Sequence, residues 1–157
     1  MSNAEVAEQF EEIADRLLLE GDSWFKVSAY RRAAESLRGM EQPVEAIAAR
    51  NALRKVPGVG DAIRAKIEAF LETGHIPLLD RLRSEQAPGL LALMRETALP
   101  PRRVRALAAG PLHVESIDRL RELLADGDLE RSGSLDAAGL RTVRDWADRP
   151  AGSLKDA

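Results

Sequence analysis

Two glycines separated by one valine lie directly before a helical pattern in the stretch KVPGVGDAIRAKI, residues 55–67. Glycine has no Cβ atom, so Gly58 and Gly60 can turn the chain sharply and leave the backbone N–H groups around them uncovered. Those groups lie at the positive end of a helix that begins near Asp61, where a phosphate can accept several hydrogen bonds at once. The spacing predicts a phosphate-binding turn that contacts a nucleic-acid backbone and does not read bases. The alternative is a tight structural turn in a helical bundle.

The basic residues of the chain are concentrated around this turn. The net charge is −3, but residues 24–74 contain nine lysines and arginines against six acids, whereas residues 1–23 contain one arginine against seven acids. The remaining residues hold thirteen of each sign. The middle third therefore carries a modest positive charge, which favours a nucleic-acid partner for that part of the chain.

Lys66 is the residue near the turn that could act as a nucleophile. A lysine attacks a carbonyl carbon only when its amine is neutral, a form that burial or neighbouring cations favour. Lys66 shares a helix edge with Ala62, Ile63 and Phe70, which makes partial burial plausible on sequence grounds. Schiff-base chemistry at Lys66 is thus one hypothesis, and an ordinary phosphate-facing or solvated lysine is the alternative.

Hydrophobic periodicity predicts that helices position these residues. Apolar side chains recur at helical spacing, and no period-2 run rich in β-branched residues appears, so the chain is predicted to be all-α. The glycines and prolines between the patterns set the ends of the helices. The predicted helices cover residues 5–20, 23–39, 43–48, 61–73, 78–83, 90–96, 101–109, 114–125 and 135–147.

A break at Gln86-Ala87-Pro88-Gly89 divides the predicted helices into two groups. We expect a compact multi-helix bundle over residues 1–86, a second, smaller helical module over 87–149, and a flexible tail over 150–157.

Composition excludes several classes of site. The chain has no cysteine, which excludes disulfides and thiolate metal sites. His75 and His113 are far apart and lack ligand-like neighbours, which argues against zinc. No run of 18 apolar residues exists, so we expect no membrane association and a cytoplasmic protein, associated with the nucleoid if the source is bacterial.

Two stretches carry a resemblance to a known family. The stretch LRKVPGVGDAIRAKIEAFLETG resembles the helix-hairpin-helix motif of nucleic-acid proteins, and SWFKVSAYRRAAESLRGM, residues 23–40, is similar to the signature of the amino-terminal domain of family X DNA polymerases, the DNA polymerase beta-like family. The resemblance covers residues 5–85 well and continues faintly over 88–147. There the family carries a second hairpin in its fingers region, but this chain has TALPP, without glycines, at residues 97–101. The resemblance implies a degenerate fingers-like module, in which Arg102, Arg103 and Arg105 are left as side-chain candidates for phosphate contact or as a solvated face.

The resemblance also implies roles for particular residues. Main-chain carbonyls of Arg54, Val56 and Val59 match those that hold a monovalent cation, Na⁺ or K⁺, in such hairpins; no other cofactor is expected. Lys66 falls where some family members carry the nucleophile of a deoxyribose-phosphate lyase, although positions 62 and 78, which match further basic residues of that pocket, are alanine and leucine. The residues expected to contact DNA are Lys26, Tyr30, Arg54, Lys55, Gly58, Val59, Gly60, Arg64 and Lys66.

Three functions stay open at this point. The first is sequence-independent binding of the DNA backbone in repair, at gaps, nicks or 5′-phosphate ends. The second is lyase chemistry through Lys66, and the third is a helical protein-interaction module that does not bind DNA. No polymerase active site is predicted within the chain, and a polymerase domain after Ala157 or a separate protein partner stays open.

Overall fold

The computed structural model describes residues 1–149, and within that range it is all-α, as predicted. The predicted tail over 150–157 lies outside the described residues. The elements are α1 Asn3–Glu20, α2 Trp24–Gly39, α3 Val44–Ala49, a 3₁₀ turn Leu53–Lys55, α4 Asp61–Thr73, α5 Pro77–Glu85, α6 Leu90–Thr97, α7 Pro101–Ala109, α8 Ile117–Ala125, α9 Asp128–Ser132 and α10 Ala137–Ala147.

The chain divides into two compact units, Met1–Glu85 and the unit that begins at Gln86. The division lies one residue from the expected boundary between residues 86 and 87. Each unit has its own buried apolar side chains, and each is described separately below.

The first unit is built around the pairing of α1 with α2. Helix α1 begins with a capping box, in which the Ser2 hydroxyl accepts from the amide of Glu5 and the Glu5 carboxylate accepts from the amide of Ser2. It ends at Gly21 in the left-handed conformation. Across the pair, the rings of Phe10 and Tyr30 stack at a centroid distance of 5.9 Å. The largest fully buried side chains of this unit are Phe10, Ile13, Leu19, Leu37, Leu53, Ile67, Ile76, Leu79 and Leu82.

An ion-pair cluster joins α1 to α5. The guanidinium of Arg83 donates to the two carboxylate oxygens of Glu12, at 2.7 Å each, and Arg16 donates to one of them at 2.8 Å. Chiefly because of the hydrogen bonds from Arg83, with Arg16 adding to them, the pKa of Glu12 falls to about 2. This cluster fixes α5 against the face of α1.

In the second unit, α6 packs against α7 and α10, and α8 packs against α9. Residues 128–132, which form α9, were not predicted to be helical, because five residues between two glycines are too few to show a period. Helix α8 begins at Ile117 and not at the predicted residue 114, since Ser116 caps it by accepting from the amide of Arg119. Helix α10 likewise begins after its cap, Asp136.

Candidate nucleic-acid interface

Residues 56–60 form the turn that joins the 3₁₀ segment to α4. Val56 and Val59 are buried, while the residues between and after them, Pro57, Gly58 and Gly60, are exposed. The amide of Val59 donates to the carbonyl of Val56 at 3.1 Å and closes the turn. The two valines anchor the turn in the core and leave its glycine backbone at the surface.

The two glycines of the turn differ in backbone conformation and in what a Cβ atom would meet. Gly58 has φ +81°, a left-handed conformation that other residues rarely adopt. Gly60 has φ −90° and ψ −172°, an extended conformation open to any residue, and a Cβ atom built there would meet nothing within 4 Å. Neither backbone strain nor packing explains a glycine at position 60. What its missing Cβ provides is access to the backbone from outside.

That accessible backbone lies at the amino end of α4, a helix of 13 residues. Within the described part of the chain, no side chain caps this end, and the amides of Gly58 and Gly60 donate no hydrogen bond. The N–H groups of the first helical turn, together with the helix dipole, therefore face solvent as ready donors to an anion.

The turn is attached to α2. The Ser36 hydroxyl donates to the carbonyl of Pro57 at 2.5 Å, and a Cβ atom on Gly58 would lie 3.5 Å from the backbone of Arg32. The hairpin is therefore hydrogen-bonded to the helix that carries Lys26 and Tyr30 and lies close to its backbone.

Three of the predicted DNA-contacting residues lie on the surface, and two of them have a carboxylate nearby. Lys26 is exposed and 3.5 Å from Asp22, and Lys55 is exposed. Arg54 is exposed but forms a 2.6 Å ion pair with Asp61. The sequence reading did not foresee this carboxylate beside Arg54.

Arg64, also predicted to contact DNA, is more constrained. It pairs with Glu68 at 3.1 Å and lies 3.9 Å from Asp61. The spacing of Arg64 and Glu68, four residues apart on a helix, is the signal that could have predicted their pairing.

Tyr30 and Val59 are the two predicted contact residues that lie in the core. Tyr30 is 8% exposed and stacks on Phe10, and Val59 is 6% exposed. The side chain of Val59 anchors the turn, so its main chain is the part available to a ligand. The half-buried Lys66 places its Nζ 5.9 Å from the centroid of the Tyr30 ring, a cation–π contact at the edge of the core.

The expected cation site would use main-chain oxygens. Among the three predicted carbonyls, that of Val56 already accepts the amide of Val59 and keeps a second lone pair. In residues 1–149, no group of three or more histidine, cysteine, aspartate or glutamate residues could hold a metal ion. A monovalent cation on the carbonyls of Arg54, Val56 and Val59 stays a prediction.

Two exposed aromatic side chains at the start of α2 were missed from the sequence. Trp24 is 64% exposed and Phe25 is 86% exposed, and the guanidinium of Arg31 lies 5.4 Å from the centroid of the Trp24 ring. Phe25, Arg32 and Ser36 are spaced seven and four residues apart, so they share the face of α2 that holds the hairpin. The signal in the sequence was an adjacent aromatic pair beside Lys26 in a chain with only six aromatic residues.

No helix in the described range is both long enough and apolar enough to cross a lipid bilayer.

Comparison with known proteins connects this geometry to a family. Residues 1–76 match the model of a helix-hairpin-helix domain. The chain is 28% identical over 122 residues to the DNA polymerase/3′-5′ exonuclease PolX of Bacillus subtilis (strain 168), an alignment that covers 78% of this chain and 21% of the relative. It is 30% identical over 88 residues to DNA polymerase lambda of Rattus norvegicus, covering 56% of this chain and 14% of the relative. The chain thus spans about a fifth or less of the length of these relatives.

Proposed function

Starting from the helix-hairpin-helix domain in residues 1–76, which is homologous to the corresponding region of family X DNA polymerases, we propose that this chain binds the DNA backbone without reading its sequence. The observation that carries the proposal is Gly60, whose glycine neither its φ angle nor its packing demands, at the uncapped amino end of α4. A phosphate oxygen can approach this backbone closely enough to accept from several amides.

Basic side chains extend the contact beyond the turn. Arg54 and Lys55 are exposed on the 3₁₀ segment before the turn, and Lys26 is exposed on α2, which the turn contacts through Ser36. With about three to five phosphates contacted, the logarithm of the binding constant falls by about 3 to 4.5 per tenfold rise in salt. Binding of this kind depends on the backbone and tolerates any sequence.

The exposed aromatic pair supports a preference for gapped DNA of the kind met in DNA repair. Phe25 lies on the hairpin face of α2, seven residues from Arg32, which at 1.5 Å per residue is about 10 Å along the helix. A strand whose phosphates rest on the turn would pass this ring within one or two nucleotides. Stacking of an unpaired base on an aromatic ring contributes about 1 to 3 kcal/mol, and it is lost when the base is paired.

The test compares Gly60→Val with Gly39→Val, since a Cβ atom at either position meets nothing within 4 Å. Both variants should keep the all-helical circular dichroism spectrum. Binding to a gapped, 5′-phosphorylated duplex, measured by fluorescence anisotropy at low salt, should weaken about 10- to 100-fold in Gly60→Val, since charge-assisted hydrogen bonds to the amides are lost. Gly39→Val should bind like the wild type.

Equal affinities of the two variants would contradict phosphate binding at the turn. Equal affinity of the wild type for gapped and intact duplex would contradict the gap preference alone. Absence of binding to either DNA would favour the alternative of a protein-interaction module.

A deoxyribose-phosphate lyase is the second candidate function. The observation that favours it is the half-buried position of Lys66 on the hairpin helix. Borohydride reduction on an incised abasic-site duplex would trap a covalent adduct with the wild type and none with Lys66→Ala if Lys66 forms a Schiff base. Binding alone leaves no adduct with either protein.

A further inference from the structure

Four charged side chains of alternating sign form a ladder beside the hairpin. Arg54 pairs with Asp61 at 2.6 Å, Asp61 lies 3.9 Å from Arg64, and Arg64 pairs with Glu68 at 3.1 Å. Three of these residues, Arg54, Arg64 and Glu68, line a cavity of about 300 Å³ together with Asn51 and Leu53. The ladder holds the two arginines that lie nearest the amino end of α4 in sequence.

Asp61 lies at the same end of α4 as the backbone amides proposed to bind phosphate. It is the first residue of α4, directly after Gly60, and its side chain is 73% exposed. A negative charge at the amino end of a helix interacts favourably with the helix dipole and with nearby arginines. A phosphate bound at the turn would use the same dipole and the same arginines, so the two anions compete.

The pairing of Arg64 leaves part of its hydrogen-bonding capacity unused. Its two terminal nitrogens reach Glu68 and Asp61, but its Nε is buried and, among the residues described, has no hydrogen-bond partner. A buried donor without an acceptor is uncommon and costs stability. The hydrogen-bond donors of Arg64 are therefore not all paired in the free protein. This lowers the free-energy cost of exchanging its carboxylate partners for a phosphate.

We propose that Asp61 is an internal competitor of DNA phosphate, which lowers the affinity of the hairpin by occupying Arg54 and Arg64 in the free protein. This inference rests on the proposed function and adds a residue that opposes binding. When DNA binds, the phosphate takes over Arg54 and Arg64, and the carboxylate of Asp61 turns out to solvent. Because the carboxylate of Asp61 is set free and attracts cations from solution, fewer cations are released overall than the basic residues alone would predict.

The test is Asp61→Asn in the full chain, with Glu72→Gln as the control. The asparagine keeps the size of the aspartate and removes its charge, and Glu72, at the other end of α4 and exposed, loses one charge away from the turn. With a gapped duplex at low salt, Asp61→Asn should bind about three- to fivefold more tightly than the wild type, as expected for an exposed ion pair that no longer competes. Its salt dependence should steepen by about one unit of slope, because no carboxylate is set free to take up cations when the phosphate binds.

A second comparison separates competition from net charge. In the Arg54→Gln background, the gain from Asp61→Asn should shrink, because the competition acts largely through Arg54. An equal gain in Glu72→Gln, an unchanged gain in the Arg54→Gln background, or weaker binding by Asp61→Asn would each overturn the inference while the wild type still binds DNA. If neither the wild type nor Asp61→Asn binds any duplex at low salt, the proposed function fails, and the inference fails with it.

Discussion

Two turns forty residues apart share a backbone design and differ in the groups they present. In the first, Gly58 has φ +81° and lies three residues before the start of α4; in the second, Ala98 has φ +60° and lies three residues before the start of α7. The residue after each is a buried aliphatic, Val59 at 6% exposure and Leu99 at 2%. Each turn thus places a left-handed residue, then an anchor, then a helix.

The difference lies in the donors at the start of the following helix. The first turn presents the N–H groups of Gly60 and Asp61, whereas the second has Pro100 and Pro101, which have none. In the second turn, the amide of Leu99 donates to the hydroxyl of Thr97 at 3.2 Å. The comparison teaches that the shape of a hairpin and the N–H donors that it offers are separate properties, and the second turn has the shape without those two donors.

The arginines after the second turn, Arg102 and Arg103, differ in how exposed they are within the second unit. Arg103 donates to Asp136 at 2.7 Å, and Asp136 also caps α10 by accepting from the amide of Gly139. That amide, with Arg103 contributing, lowers the pKa of Asp136. Arg103 is thus half-buried and paired within the second unit, which neither of the two expectations described, whereas Arg102 is exposed.

The largest effect that we predict is a loss of stability in the unit that contains the second turn. A Cβ atom at Gly89 would lie 2.3 Å from the carbonyl oxygen of Glu115, a distance that real structures do not allow. Gly89→Ala should therefore destabilise the unit that begins at Gln86 by about 3 kcal/mol or more, measured by urea unfolding followed by circular dichroism. DNA binding through the first hairpin should persist.

Gly39→Ala, where a Cβ atom meets nothing within 4 Å, is the matched control and should unfold at the wild-type urea concentration or above it. Loss of DNA binding in Gly89→Ala would mean that the unit that begins at Gln86 contributes to binding.

The prediction of intermediate size concerns how the stability of the first unit depends on pH. The pKa of Glu12 is lowered from its ordinary value of 4.5 to about 2, so its ionised form stabilises the folded first unit. This stabilisation is complete above about pH 4.5 and is lost as the pH falls toward 2. Glu12→Gln should cost about 1 to 2 kcal/mol at pH 7 once solvent screening is allowed for, and almost nothing at pH 2.

Thermal unfolding at several pH values, with the exposed Glu8→Gln as control, measures this difference. A loss that does not vary between pH 7 and pH 2 would show that packing, and not the ion pairs to Arg83 and Arg16, accounts for it.

The smallest effect tests the shared backbone design directly. Gly58→Ala forces a residue with a Cβ atom into the left-handed region, and Ala98→Gly relieves the same strain in the other turn. We expect the first to destabilise and the second to stabilise, each by about 0.5 to 1 kcal/mol after the unfolded-state entropy of glycine is included. Urea midpoints that shift in the same direction for both would show that the two turns are not equivalent.

Local pattern was enough to predict the all-α class, most helix ranges and the position of the first hairpin. Periodicity reports which face of a helix is buried, and the pair of glycines before Asp61 is a local signal. It could not show that Ala98 adopts the left-handed conformation, because the sequence around it has no glycine to indicate it.

The site was predicted less completely than the fold. The carboxylate of Asp61 beside Arg54 depends on side-chain conformations, which residue order does not specify. The exposure of Trp24 and Phe25 depends on which other parts of the folded chain pack against them, and the local sequence does not specify this. Tyr30 was expected to contact DNA, but its ring lies in the core and is 8% exposed.

The hydrogen bond from Ser36 to Pro57 has a consequence for spacing. Because this bond ties the turn to one face of a continuous helix, the separation between the open amides and the ring of Phe25 is set by the number of helical residues between them. One residue added to α2 between Phe25 and Arg32 would rotate the ring by about 100° and lengthen the separation by about 1.5 Å. Helix length thus sets the spacing between the turn and the ring of Phe25, the two contacts of the proposed function.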